Sequence, residues 1–343
     1  MTMALSYEYL TGVYTQVPVE SFLLTDRLGK VKEYSPIPSV KIRIDKSGMS
    51  VATLGKLGDP ARPVNVSPNV SEVSYTPPEI FEYYVVTEDD VFNIVNPKII
   101  SVTSEKDVVS NIEYVAAKVA AELKNRVTRR IELMFAQILS EGKITYSDGN
   151  RSLTYDFGIT ATDYTLTDTT NVASDLIDMA DEMRRNGANP DLIIITPNVE
   201  KAMLSNNQIQ QWANKNGFGL LRTNIKVYKT ARQTFNIDGL PADIFVYVGG
   251  YADDSGDFKY YIPFDESGGT GKIILVDSSF FRLAYGALVN YKINPDGRPI
   301  RGEAVVWEDV TNNGASKAIF VQSRPLPYVA SSAAVKILNV TIS

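Results

Sequence analysis

The stretch SEKDVVSNIEYVAAKVAAELKNRVTRRIELMFAQILSEG, residues 104–142, contains no proline and no glycine before Gly142. Within it Val108, Ile112, Val115, Val119, Leu123, Val127, Ile131, Met134 and Ile138 recur at spacings of three and four, the stripe of one buried helical face. Ser104 with Asp107 three residues on suits an N-terminal cap, an acidic variant of the capping box, and Gly142 suits the C-terminal stop. At 1.5 Å per residue such a helix is about 55 Å long, against a mean of about 11–12 residues for globular helices. Its other face carries Glu113, Lys118, Glu122, Lys124, Arg126, Arg129 and Arg130. The stripe is too short and too rich in alanine for a coiled coil, so the sequence predicts a backbone helix lying on a sheet.

Upstream, VKIRID (40–45) alternates as a half-exposed strand does. It leads into KSGMSVATLGKLGDPARPVNVSPNVSEVSYTPPEIFEYYVVTE, where Gly48, Gly55, Gly58, Pro60, Pro63 and Pro68 prevent a helix and interrupt any central strand. The extended run EIFEYYVVTE then returns. Two strands flanking so long a segment describe a two-stranded arm that reaches outward to another chain. Residues 1–40, with Pro18, Pro36 and Pro38, sustain neither period. They are either a loosely structured terminus or an arm ordered against a neighbouring subunit. The start, MTMALSYEYLTGVYTQ, lacks the basic leader and apolar run of a secretory signal.

Downstream, KITYSDGNRSLTYDF reads as a hairpin turning at Asp148-Gly149. A helix from Val172 to Asn186 buries Leu176, Ile177, Ala180 and Met183 and ends at Gly187. PDLIIITPN is a short buried strand, followed by a helix from Val199 to Ser205 and by strands KVYKT, IFVYVG and KIILVD. This order describes a compact mixed α/β unit over roughly 165–290. From Tyr291 the chain is strand-rich: EAVVWEDV, KAIFVQSR and AAVKILNVTI.

The 343 residues include no cysteine and no histidine. Disulfides, thiolate and imidazole metal ligands and every imidazole base are thereby excluded, so Ser-His-Asp and Cys-His catalysis are excluded too. Lys and Arg number 34 against 40 Asp and Glu, a formal charge of −6. That is not the basic surplus by which proteins grip DNA phosphates. No run of about 18 apolar residues occurs, which excludes a membrane helix.

The segment DESGGTGKII (265–274) suggests a phosphate loop, but Glu266 stands where the first glycine belongs and Ile273 where Ser or Thr belongs. It also runs into a strand, so a hairpin turn is expected. The acidic groups Glu88, Asp89, Asp90 and Asp253, Asp254, Asp257 read as solvated turns or a helix start rather than cation sites. No catalytic, cofactor-binding or metal-ligating residue is assigned. Arg43, Lys46, Lys56 and Arg62 are spread through the arm and could meet acidic surface on a neighbour. Tyr75, Phe81, Tyr83 and Tyr84 fit packing in a sheet or between subunits better than stacking on nucleic acid. The candidate inter-subunit contacts are therefore Arg43, Lys46, Lys56, Arg62 and Tyr83.

The chain order resembles the tailed-bacteriophage capsid fold, the Hong Kong 97-type α+β architecture of N-arm, E-loop, P-domain with spine helix, and A-domain. More narrowly it is similar to the lambda-type major capsid proteins, the phage major capsid protein E family. NPDLIIITPNVEKAML (189–204), GKIILVDSSFFRLAYGALVN (271–290) and FVQSRPLPYVASSAAVKILNV (320–340) carry the likeness. The most specific is the core Gln322, Ser323, Pro325, Leu326. The resemblance implies an N-terminal arm at 1–40, an E-loop at 41–87, a P-domain at 88–165 and 291–343, and an A-domain at 166–290. It implies a virion head protein, assembled in the host cytoplasm as hexamers and pentamers of an icosahedral shell enclosing double-stranded DNA. Its partners would be a scaffolding protein, a portal and, in many members, a decoration protein, with no membrane and no cofactor. The long charged N-terminal helical region of some relatives is lacking here, which points to a separate scaffold or to removal of such a region. The spine helix would be the stiff element about which subunits tilt. Deleting residues 46–72 is expected to leave a folded α/β unit that builds no stable shell. The nearest alternative is an encapsulin-like nanocompartment shell. A nucleotide-dependent enzyme would need the phosphate loop that is missing, and a tail or adhesin component would form a small fixed oligomer.

Overall fold

The computed structural model describes residues 6–45, 70–87, 90, 105–147, 152–216, 226–235, 237, 239–240, 242–253, 255–311 and 316–343. Helices α1 (Tyr7–Gln16) and α2 (Leu23–Leu28) open it, α1 capped by the Ser6 hydroxyl, which accepts from Tyr9 N. They insert Leu10, Tyr14, Leu23, Leu24 and Leu28 into the main core. The reading of 1–40 as a loosely structured terminus is thus corrected for the described part. Helices this short are marginal alone, and their apolar pairs are too few to register as a period; burial against the body stabilises them.

Strands β1 (Lys32–Tyr34), β2 (Val40–Asp45), β3 (Val70–Tyr75) and β4 (Ile80–Val86) follow. The arm is two-stranded, but VKIRID pairs antiparallel with β3, Ile42 opposite Val73, and not with EIFEYYVVTE. Pro77 and Pro78 lie between β3 and β4. Proline donates no ladder hydrogen bond, so β3 stops there and β4 joins a different sheet.

The spine helix α3 covers Glu105–Glu141, as the apolar stripe predicts. Val115, Val119, Leu123, Val127, Ile131, Met134 and Ile138 are all buried, together with Phe135, Ala136 and Leu139. Gly142 stops it at φ +73°. The hairpin β5 (Lys143–Ser147) and β6 (Ser152–Asp156) pairs Ile144 with Tyr155; the expected Asp148-Gly149 turn and the Ser104 cap lie outside the described residues.

Next come β7 (Ala161–Leu166), α4 (Val172–Arg185), β8 (Leu192–Ile195), α5 (Pro197–Ser205) and α6 (Asn207–Asn216). Asn171 caps α4, and Gly187 past its end has φ +90°. KVYKT is not a strand: Val227 makes a single bridge to Arg232, and Tyr228 N bonds Ala231 O in a tight turn (2.7 Å). The strand there is β9 (Ala231–Gln233). It is followed by β10 (Asp243–Tyr247), β11 (Gly250–Ala252), β12 (Phe258–Tyr260), β13 (Thr270–Val276) and β14 (Phe281–Tyr285). Finally come β15 (Val305–Thr311), β16 (Ser316–Ser323), β17 (Pro325–Val329) and β18 (Val335–Ile342).

A mixed six-stranded sheet, β7-β18-β13-β8-β10-β9, is the centre of the molecule. Strand β8 shows why its sequence, LIII, has no polar alternation: Leu192 and Ile194 enter the spine-helix core, while Ile193 and Ile195 enter the core under α4 and α5. The last strand, from the segment 291–343, sits between β7 and β13 in this sheet. Strand β14, expected within 166–290, pairs with β1 and β17. Long-range pairing, which periodicity does not encode, sets both placements. The third sheet, β15-β16-β4, lies across the spine helix.

Candidate assembly surfaces

The polar face of the spine helix is spent largely within the chain. Arg126 pairs with Glu82 of β4. Arg129 reaches Glu20 (3.5 Å) and Glu122 (3.2 Å), and Lys229 also bonds Glu20. That bond from Lys229 is the largest influence holding the Glu20 carboxyl below its ordinary range. Lys124 donates to Thr15 O (2.8 Å) and Val17 O (2.7 Å), closing the C-terminal end of α1. Burial lowers the proton affinity of this ammonium.

The sheet β15-β16-β4 has two unlike faces. Glu82, Val306, Ile319 and Val321 share the face toward the spine helix; the register puts Phe81, Tyr83, Trp307 and Phe320 on the other. These four rings stack side by side. Trp307 lies 5.4 Å from Phe320 at 10°, and Tyr83 lies 5.2 Å from Phe320 at 29°. Phe81 is 5.8 Å from Trp307 and 5.9 Å from Phe320. Trp307 is buried in one cluster with Leu288 and Val305, against which Ile293 and Ile300 pack. Phe81 and Tyr83, at the edge of the strip, stay 57 % and 59 % exposed. An exposed aromatic pair continuous with a buried apolar cluster marks a surface suited to covering by another chain.

Of the candidate contacts read from sequence, Tyr83 lies in this strip. Arg43 is in β2 opposite Glu72 by backbone register, its side chain outside the described residues, as are Lys46, Lys56 and Arg62 entirely. Lys41 pairs with Glu72 on the arm (3.1 Å). Tyr75 meets Tyr155 edge-on at 4.9 Å, and Tyr155 donates to Thr76 O (2.8 Å), which fastens the root of the arm to β6. Tyr84 donates to Asp90 (3.0 Å). The structure therefore separates the four aromatics of the sequence motif and joins two of them to Trp307 and Phe320, which sequence reasoning missed. The alternation in EAVVWEDV and KAIFVQSR was the available signal.

The 265–274 segment is a turn entering β13. Asp265 accepts from the Ser267 hydroxyl (2.6 Å), from Ser267 N (2.9 Å) and from Gly269 N (3.1 Å), and these bonds, the hydroxyl's foremost, hold its carboxyl low. A Cβ on Gly271 would lie 2.5 Å from Thr196 Oγ1, so this glycine permits β13 to pack against the start of α5. Asp253 accepts from Ser255 N and Asp257 N and pairs with Lys259, bracing the β11–β12 hairpin. Among the described residues no group of three or more acidic side chains is arranged to hold a metal ion.

The core of the most specific sequence segment joins two sheets. Gln322 donates to Glu79 and accepts from Asn290 Nδ2 (3.1 Å), and Arg324 reaches Glu79 (2.9 Å). Pro325 and Leu326, both buried, then enter β17 beside β14. Here the chain crosses from the aromatic sheet to the next, with the spine helix beneath both.

A long helix under three sheets, an extended two-stranded arm and a mixed α/β unit closed by the final strand define a shell subunit of the Hong Kong 97-type phage capsid fold. The chain belongs to the phage major capsid protein E family, whose model matches residues 6–340. It is a capsid structural protein, and the family places it in the virion. Among solved structures, a protein described as a capsid protein of an E. coli CFT073 prophage has a TM-score of 0.67 at 14 % identity, covering 100 % of both chains. A phage-related protein from Bordetella bronchiseptica RB50 has a TM-score of 0.52 at 13 % identity, covering 98 % of each. No curated protein sequence matches the chain significantly.

Proposed function

We propose that the chain forms the wall of a phage head, assembling as hexamers and pentamers into an icosahedral shell around double-stranded DNA. The observation that carries this beyond family membership is the exposed aromatic strip of β4 and β16, whose open edge suits covering by a second copy. Residues 41–87 act as the extended loop reaching a neighbour, with Arg43, Lys46, Lys56 and Arg62 meeting acidic surface there and Tyr83 buried in the contact. Residues 88–165 and 291–343, with the spine helix, form the P-domain, and residues 166–290 form the A-domain. The chain has no catalytic role. Assembly takes place in the host cytoplasm with a scaffolding protein and a portal, and the finished shell accepts a decoration protein. The formal charge of −6 suits a wall that does not bind its DNA tightly.

Negative-stain electron microscopy with sizing, first of the chain alone and then with a co-expressed scaffold, tests the proposal. Hollow icosahedral particles or hexamer and pentamer rings are expected in one or both. A persistent monomer or dimer under both conditions refutes it.

A further inference from the structure

Glu132 stands on the spine helix and is 0 % exposed. Its Oε1 accepts from Leu24 N (3.1 Å), Thr230 Oγ1 (3.3 Å) and Tyr247 Oη (2.7 Å). Its Oε2 accepts from Thr25 N (2.7 Å) and Thr25 Oγ1 (2.8 Å). The donors come from α2, from the turn before β9 and from β10, so one carboxyl ties the N-terminal helices to the central sheet.

No cation pairs with it among the described residues. From its own helix, Arg129 is bonded to Glu20 and Glu122. From the β9 turn, Lys229 is bonded to Glu20; from α2, Arg27 is bonded to Asp243 and Asp26 accepts from Ser21. Tyr247 of β10 donates to it, and the buried Tyr261 hydroxyl after β12 has no hydrogen-bond partner among the described residues. Two of the five donors are backbone amides, which can only donate. The other three are hydroxyls, which can turn and accept. A protonated Glu132 therefore keeps the network, its own O–H directed at Thr25 or Tyr247, while a charged one bears the desolvation of a buried, unpaired carboxylate.

We propose that Glu132 is a proton-linked clasp that sets how firmly α1 and α2 are docked on the spine helix and the six-stranded sheet. Undocked, the carboxyl meets water and titrates in its ordinary range. Docked, burial outweighs the hydrogen bonds and holds its proton to higher pH. Docking is then strongest below the ordinary carboxylate range and weakens as pH rises through the docked value.

Hydrogen exchange of the full chain tests this, read at residues 20–28 from about pH 5 to about pH 8 with intrinsic rates divided out. Protection is expected to fall with rising pH, by at most about tenfold per pH unit for one proton, while β8 and β13 hold constant. Glu132→Gln, neutral at every pH, is expected to give a flat profile. Tyr247→Phe removes a donor to the charged form and is expected to move the window to higher pH. A flat or rising wild-type profile overturns the proposal, as does an unchanged slope in Glu132→Gln. Should Glu132→Gln fail to fold, the wild-type slope and the Tyr247→Phe shift decide; an unmoved window in Tyr247→Phe overturns it.

Discussion

Gly142 joins the end of the spine helix to the β5–β6 hairpin, and two independent constraints make it glycine. Its φ is +73°, a conformation that costs an L side chain about 1–2 kcal/mol. A Cβ there would also lie 2.3 Å from Ile159 O. Gly142→Ala is therefore expected to destabilise by about 2 kcal/mol or more, read as a lower urea midpoint at unchanged slope. The stop itself was legible in the sequence; the close approach of Ile159 was not, since it depends on a later turn of the chain. The same limit hid Glu132 and Lys124. The sequence does show a lone glutamate in the apolar run IELMFAQIL, and that is the signal by which a buried carboxyl could have been suspected. Periodicity placed Lys124 on the solvent face, yet α1 lies over it, and periodicity says which face is polar, not what later covers it.

Among elements, β4 and the spine helix were legible to different degrees. The helix is local, and its stripe predicted both its extent and its buried face. The strand was recognised, but its partner is β16, more than two hundred residues away, and not β2. The arm's true partner, β3, was hidden inside a segment read as irregular because of its glycines and prolines. The aromatic strip emerges only once the register of three strands is known, so Tyr83 was found and Trp307 and Phe320 were not. Replacing Phe81 and Tyr83 together by serine tests what the strip is for. Both are more than half exposed in the single chain, so each change is expected to move monomer stability by only about 0.5 kcal/mol. Covering what remains exposed of each ring with a neighbour would contribute about 1–2 kcal/mol. Assembly should therefore fail while the thermal midpoint of the subunit stays close to wild type. Wild-type particles from the double variant would remove the strip from the interface.

At the scale of the whole molecule, the two main cores share one sheet. Residues of β8, β10 and β13 alternate between the spine-helix core and the core under α4 and α5, so loosening one core disturbs the other through a common wall. Among the described residues, the arm enters the core at its root, through Val40 and Ile42, with Tyr75 held against Tyr155. Ordering an extended segment costs about 1–2 kcal/mol per residue in backbone entropy alone. An exposed two-stranded ladder recovers little of that by itself, whereas a neighbour laid along it would, and in a closed shell every subunit both gives and receives the contact. Deletion of residues 46–72 is therefore expected to leave far-UV circular dichroism of the helices and the urea midpoint of the body close to wild type, because both cores survive. The same deletion should yield no closed particles with or without a scaffold. Normal particles would refute the role assigned to the arm. Loss of the folded body would show instead that the arm supports the subunit's own fold, and the independence of the two cores from it would have to be abandoned.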